Sequence, residues 1–225
     1  MGWKQWTNLL TRLKFMVSYQ AKQKLNLRGG ASRTAGIHLS GILRRLAFSM
    51  GWLNKKWDTE ETLDELIART PADEVGLNGN LMRLVLGMSV EEWIAKQLVA
   101  HRPGFIHQPG EYSLDGILGT PDGIEFDGEG ILVHEIKCTH KSSKPPITEQ
   151  KLYIWQGACY LKMVSEFFHE RSVRCMFHPF FVRGDYSGID PLYLPQLVVF
   201  EWEEIESYWG VVVEHKHLAI PERGM

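Results

Sequence analysis

Apolar positions recur with a helical period in three stretches of the first hundred residues. "HLSGILRRLAFSMGW" (His38–Trp52) puts Ile42, Leu43, Leu46 and Ala47 on one stripe, with Ser40 as the expected N-cap. "DTEETLDELIART" carries acids in its first turn and Asp58 or Thr59 at its cap, so a second helix is expected there. "NLMRLVLGMSVEEWIAKQLVA" (Asn80–Ala100) is the third. The texture changes at Pro103. "GEYSLDGILGTPDGIEFDGEGILVHEIKCT" (Gly110–Thr139) reads as a meander of three short strands broken by glycine and aspartate turns. "ITEQKLYIWQGACYLKMVSEFF" returns to the helical period, with Thr148 as its cap. "VRCMFHPFFVRG" and "LPQLVVFEWE" read as two further strands, and "EEIESYWGVVVEHKHLA" as a closing helix. Helices, strands, a helix and strands again predict an α/β fold, a central mixed β-sheet flanked by helices.

Composition adds an asymmetry. The net charge is −2, yet residues 1–57 hold eleven Lys or Arg and no acid, leaving fourteen bases against twenty-seven acids in the rest. A basic end on an acidic body points to a polyanionic partner held at one end; a solvated basic face that balances the body is the plainer alternative. Trp3, Trp6, Tyr19 and Trp52 interleave with those charges, as suits stacking on nucleic-acid bases. The Gly-rich "NLRGGASRTAG" (Asn26–Gly36) marks a hinge, dividing a basic N-terminal arm, residues 1–36, from a body, residues 37–225. No run approaches the 18 apolar residues of a membrane span, and the N-terminus lacks the apolar core of a secretion signal. Cys138, Cys159 and Cys175 form no CxxC, so reduced thiols in the cytoplasm are expected rather than a four-cysteine metal site.

Three acidic residues stand where a core should be. Leu84, Met88, Glu91, Ala95 and Leu98 share one helix face, so Glu91 interrupts an apolar stripe. A carboxylate so placed needs a metal ion, a buried cation or a proton to offset its burial. Asp122 opens a strand directly after Pro121, while Glu135 and Lys137, two apart, project from the same side of "ILVHEIKCT". In an antiparallel meander the end of that strand lies beside the start of its neighbour, which brings Asp122 and Glu135 together with Lys137 alongside. Two carboxylates and an ammonium suit metal-assisted phosphodiester hydrolysis with Mg²⁺ or Mn²⁺, and Glu91 would add a third oxygen. A surface Glu135–Lys137 ion pair and an ordinary Pro-Asp-Gly turn explain the same letters without chemistry. His134 faces away from Glu135 and reads as a packing residue; Asp115 and Glu111 suit a solvated strand face or, for Asp115, the cleft rim. His140, Lys141, Ser142, Ser143 and Lys144 follow the lysine in a loop suited to phosphate contact.

Together these pieces resemble the PD-(D/E)XK nuclease superfamily, in its RecB-like and lambda-exonuclease-like, phage-type branch. Pro121-Asp122, twelve residues, then Glu135-Ile136-Lys137 gives the name motif. Gly119-Thr120-Pro121-Asp122 matches the branch's GxxD form, Gln156-x3-Tyr160 its QxxxY helix, and Gly87-x3-Glu91 its upstream glutamate helix. "GIHLSGILRRL" resembles the helix that opens many phage-encoded relatives, so the likeness spans residues 37–170. It implies a restriction-endonuclease-like core with an N-terminal helical basic extension. It also implies a Mg²⁺ or Mn²⁺ held by Glu91, Asp122, Glu135 and the Ile136 carbonyl, with Lys137 assisting the attacking water and Gln156 and Tyr160 touching DNA. Arg33, Arg44, Arg45, Lys141, Ser142 and Lys144 would contact the phosphate backbone. The activity implied is DNA hydrolysis by an exonuclease of recombination, repair or genome processing, in a bacterial or phage-infected cell. An endonuclease on the same fold, structure-specific or nicking, and a catalytically silent DNA-binding accessory protein are the alternatives. A recombinase or single-strand-binding protein as companion, and a homo-oligomer, follow from the same likeness; no membrane is involved.

Overall fold

The computed structural model describes residues 36–53, 60, 79–139, 145–182 and 191–219. The chain forms two compact units, one of Gly36–Thr62 with Val90–Met225 and one of Met1–Ala35 with Leu63–Ser89. Of the second, residues 79–89 are described, as helix. The basic arm, Arg33, the helix expected over 58–70 (Glu60 apart), and the loop residues His140, Lys141, Ser142, Ser143 and Lys144 lie outside the described residues.

The first unit holds, in chain order, β1 (Ile37–His38), α1 (Leu39–Ser49), the C-terminal half of α2 (Gly79–His101), β2 (Phe105–His107), β3 (Tyr112–Leu114), β4 (Ile117–Gly119), β5 (Gly123–Asp127) and β6 (Gly130–Thr139). Then come α3 (Lys151–Phe168), β7 (Val173–Phe181), β8 (Leu192–Tyr193), β9 (Gln196–Val198) and α4 (Trp202–Glu214). The main sheet runs β2-β5-β6-β7-β8, with β9 also on β7; a small sheet runs β1-β4-β3. β5 and β6 are antiparallel, β6 and β7 parallel across the α3 crossover, so the sheet is mixed. Six consecutive residues of β6, Ile131–Ile136, are buried, as a central strand covered on both faces requires. Ile131 and Val133 pack with Cys175 and Phe177 of β7 against α3, joined by α1 and α4. Ile136 packs on the opposite face with Phe105, Ile94 and Ala95 of α2. This is the expected α/β architecture, a central mixed sheet flanked by helices, consistent with a restriction-endonuclease-like core.

Local differences have local causes. The expected meander is split between two sheets: Asp115 and Gly116, both at positive φ (52° and 76°), close a tight β3–β4 hairpin in the small sheet. Residues 120–122 then carry the chain across to β5 in the main sheet. α1 starts at Leu39 with His38 at its N-cap, ahead of Ser40. Thr148 lies in a 3₁₀ turn, Ile147–Glu149, and α3 begins only at Lys151. The strand expected through Glu203 stops at Val198, because Glu201 and Glu204 form a capping box that starts α4. On α2 the face turned to the core carries Ile94 and Ala95 with Val90 and Leu98, and Glu91 interrupts that face, half-buried.

Candidate active site

The antiparallel pairing of Gly123 with His134 sets Asp122 beside Glu135, the juxtaposition that the meander demanded. The Ile136 N–H donates to Asp122 Oδ2 at 2.6 Å, pinning that carboxylate to the strand that carries Glu135. Glu135 is fully buried; its Oε1 accepts from the Lys137 ammonium, and its Oε2 is buried with no hydrogen-bond partner. Burial pushes the Glu135 carboxyl up to about 8, with the Asp122 charge adding to the rise and Lys137 opposing it. Burial also raises Asp122, against the pull of Lys137 and of the Ile136 N–H. Lys137 moves the other way from burial's demand: the two carboxylates outweigh desolvation and hold its ammonium charged.

Two glycines let this happen. A Cβ on Gly119 would stand 2.7 Å from Met163 Sδ and 3.0 Å from Tyr160 Cε1, so a larger residue on β4 would have to displace these side chains of α3. A Cβ on Gly123 would sit 2.3 Å from the Phe105 ring. Tyr160 is buried; Gln156 Nε2 donates to its hydroxyl at 3.2 Å from one turn earlier on α3. Burial first, then the charges of Glu135 and Asp122, raise the Tyr160 pKa. The Lys137 ammonium lies 5.8 Å from the Tyr153 ring centroid.

Glu91 stands farther out. Its charge contributes to the rise at Glu135, and its Oε1 lies 3.5 Å from Gln108 Nε2, while the Gln108 N–H donates to the Asp122 carbonyl at 2.9 Å. Among the described residues no group of three His, Cys, Asp or Glu side chains is drawn together as a metal cage. Arg44 and Arg45 are half-buried on α1.

Two neighbours of the site have no signature in the sequence. Gln108, at a positive φ of 47°, links the Asp122 backbone to Glu91. His107 pairs with Gly123 and buries an Nε2 without a partner; desolvation lowers its pKa against the charges of Asp122 and Glu92. On the reverse face of β6, His134 is buried as a packing residue, but in a polar chain. Arg102 Nη1 donates to Glu125 Oε2 at 2.7 Å, and His134 Nε2 lies 3.2 Å from the same oxygen. His134 Nδ1 meets His178 Nε2 at 2.9 Å, and His178 Nδ1 meets the Tyr193 hydroxyl at 2.6 Å. Burial lowers His134 to about 4 and His178 to about 3, so both rings are neutral. Neutrality allows one proton order: Tyr193 donates to His178, His178 to His134, and His134 to Glu125. Asp115, a candidate for the cleft rim, instead accepts from the Trp209 indole at 2.8 Å beside α4.

No protein-family model matches the chain, and no curated protein matches it. Among solved structures it is similar to one described as SSO0001, at 13% identity and a TM-score of 0.49, covering 94% of this chain and 89% of that one. It is also similar to an alkaline exonuclease (LHK-Exo) from Laribacter hongkongensis, at 17% identity and a TM-score of 0.45, covering 83% and 90% of the two chains. Both likenesses are loose.

Proposed function

We propose that this protein is a divalent-metal-dependent deoxyribonuclease, an exonuclease acting on DNA ends. The observation that carries the reading is Glu135: a fully buried carboxylate beside a second one, with one oxygen given to Lys137 and the other given to nothing. A buried acceptor left empty is costly unless something fills it, and two adjacent carboxylates whose protons are held too tightly are relieved by a cation. Asp122 and Glu135 fit Mg²⁺ or Mn²⁺, which take oxygen donors, with the Ile136 carbonyl and Glu91 as further oxygens. When bound, such an ion stabilises charge on the phosphate and lowers the pKa of water.

The chain's own groups do the rest. Lys137 keeps a positive charge where a phosphodiester would enter, held there by both carboxylates. Its ammonium orients the attacking water and offsets charge developing on the phosphate oxygens. Gln156 and Tyr160, bonded to each other, offer an amide N–H and a phenol O–H to a phosphate oxygen or a base edge.

The test is end-labelled linear DNA against closed circular DNA, each in Mg²⁺, Mn²⁺ and EDTA. Linear DNA should shorten in either metal and survive EDTA, while the circle stays intact. Asp122→Ala and Glu135→Ala should each lose cleavage by at least about a hundredfold with an unchanged circular-dichroism spectrum. Degradation of the circle would replace the exonuclease with an endonuclease. DNA binding without cleavage in any metal would leave a non-catalytic DNA-binding protein.

A further inference from the structure

A second feature lies beside Lys137, at the start of α3. A pocket of about 460 Å³ is walled by Trp52, Glu149, Gln150, Lys151, Leu152 and Tyr153, and Tyr153 is the ring that faces the Lys137 ammonium. Its volume is in the range of sites that take a nucleotide-sized ligand. The pocket is built rather than incidental. Gly51, at φ +70°, ends α1, and the N–H groups of Gly51 and Trp52 return to the carbonyls of Phe48 and Ala47 at 3.2 and 2.8 Å. That closure is a Schellman motif, and it fixes the Trp52 backbone at the rim. The indole is braced edge-on by Trp155, with ring centroids 4.9 Å apart, and the Lys151 ammonium lies 5.7 Å from the Trp52 ring centre.

The polar groups select among ligands. Glu149 places a carboxylate in the wall, and Gln150 buries an Oε1 with no hydrogen-bond partner. Those are acceptors, suited to exocyclic N–H groups and opposed to a phosphate. Lys151 is the cation at the same wall. An aromatic face, acceptors within and a cation beside them match a nucleobase whose attached phosphate stays outside. We infer that this pocket is a nucleobase subsite: one base of the DNA strand stacks on Trp52 while an adjoining phosphate lies toward Lys137. The inference rests on the nuclease reading above and adds to it the contact that positions the strand.

Short oligonucleotides carrying one abasic nucleotide, stepped along the strand, provide the test, with binding measured in Ca²⁺ in place of Mg²⁺. At one position, loss of the base should weaken binding to the unaltered protein about tenfold, as stacking on an aromatic ring predicts. Trp52→Leu should remove that position's sensitivity and leave the other positions as they were. Trp52→Phe, which keeps a ring, should restore most of it and guards against a variant that simply misfolds. Lys151→Gln should weaken binding to every oligonucleotide alike, since it removes a phosphate charge. DNA that is bound and cut with no position coupled to Trp52 overturns the subsite and leaves the nuclease. Absence of both binding and cleavage overturns the nuclease and the subsite with it.

Discussion

A buried carboxylate that holds its proton too tightly leaves a mark on stability. The Glu135 carboxyl titrates near 8 in the folded chain against an ordinary value of 4.5, so the native state binds a proton that the unfolded state has released. Stability drawn from that proton is whole at low pH and lost as pH rises through 8. The reverse face works oppositely. His134 and His178, lowered to about 4 and about 3, are neutral when folded, so stability falls as acid charges the unfolded histidines below 6.5. In EDTA the two effects oppose each other below 6.5, and the carboxylates act alone above it. Between pH 6.5 and 8 the metal-free protein should lose up to about 2 kcal/mol of stability, by the worth of a pKa unit. Saturating Mg²⁺ should flatten or invert that slope, because the ion takes the place of the proton. Chemical denaturation at stepped pH with and without Mg²⁺ measures it; equal slopes in both would remove the ion from Asp122 and Glu135. The acid and amine residues of this site were legible in the sequence as letters and spacing. Gln108 and His107 were not, since their place depends on β2 lying against β5 at one register.

Elements show the same division. The alternation of "ILVHEIKCT" and the Pro-Asp turn foretold which side of β6 carries Glu135, because a strand's side-chain period is two. Helical periods located α1 to within a turn, while α3 starts four residues later than its letters suggested and α4 ends five residues earlier. Ends were harder to read, because caps depend on side chains reaching backbone groups: the Glu201–Glu204 capping box ended a strand that its apolar letters would have extended. Splitting of the meander into two sheets was hidden too, since pairing partners are chosen by tertiary contact. Gly157 is a case where element and surroundings disagree. Inside α3, alanine would favour the helix by about 1 kcal/mol over glycine. A Cβ there would stand 2.5 Å from Phe177 Cζ and 3.1 Å from Cys175 Sγ, both fully buried on β7. Overpacking of that kind costs about 1–3 kcal/mol, so crowding should win. Gly157→Ala should therefore destabilise the protein by about 1 kcal/mol, read from its denaturant midpoint; a stabilised variant would mean that α3 sits farther from the sheet.

At the scale of the whole chain, charge is divided along the sequence. Residues 1–57 hold eleven bases and no acid, against an excess of acids in the remainder. The activity proposed above requires a polyanion to be drawn toward buried carboxylates, and a basic arm is one way of doing so. Deleting residues 1–30 removes six of those bases. The salt dependence of duplex binding should then flatten, by up to about 5 in the log–log slope if all six meet phosphates. An unchanged slope in a fluorescence-anisotropy titration would show that the arm does not touch DNA. The two layers meet in β6. Its odd-numbered side chains present Glu135 toward α3, while even-numbered His134 joins the row from Arg102 to Tyr193 on the other side. Slippage of this strand by one position would exchange those sides. Glu135 and Lys137 would then turn together away from Tyr160 and toward His178, and the His134 imidazole would be thrust among the side chains of α3. Misaligned folding thus forfeits both arrangements together, so selection for either one guards the other.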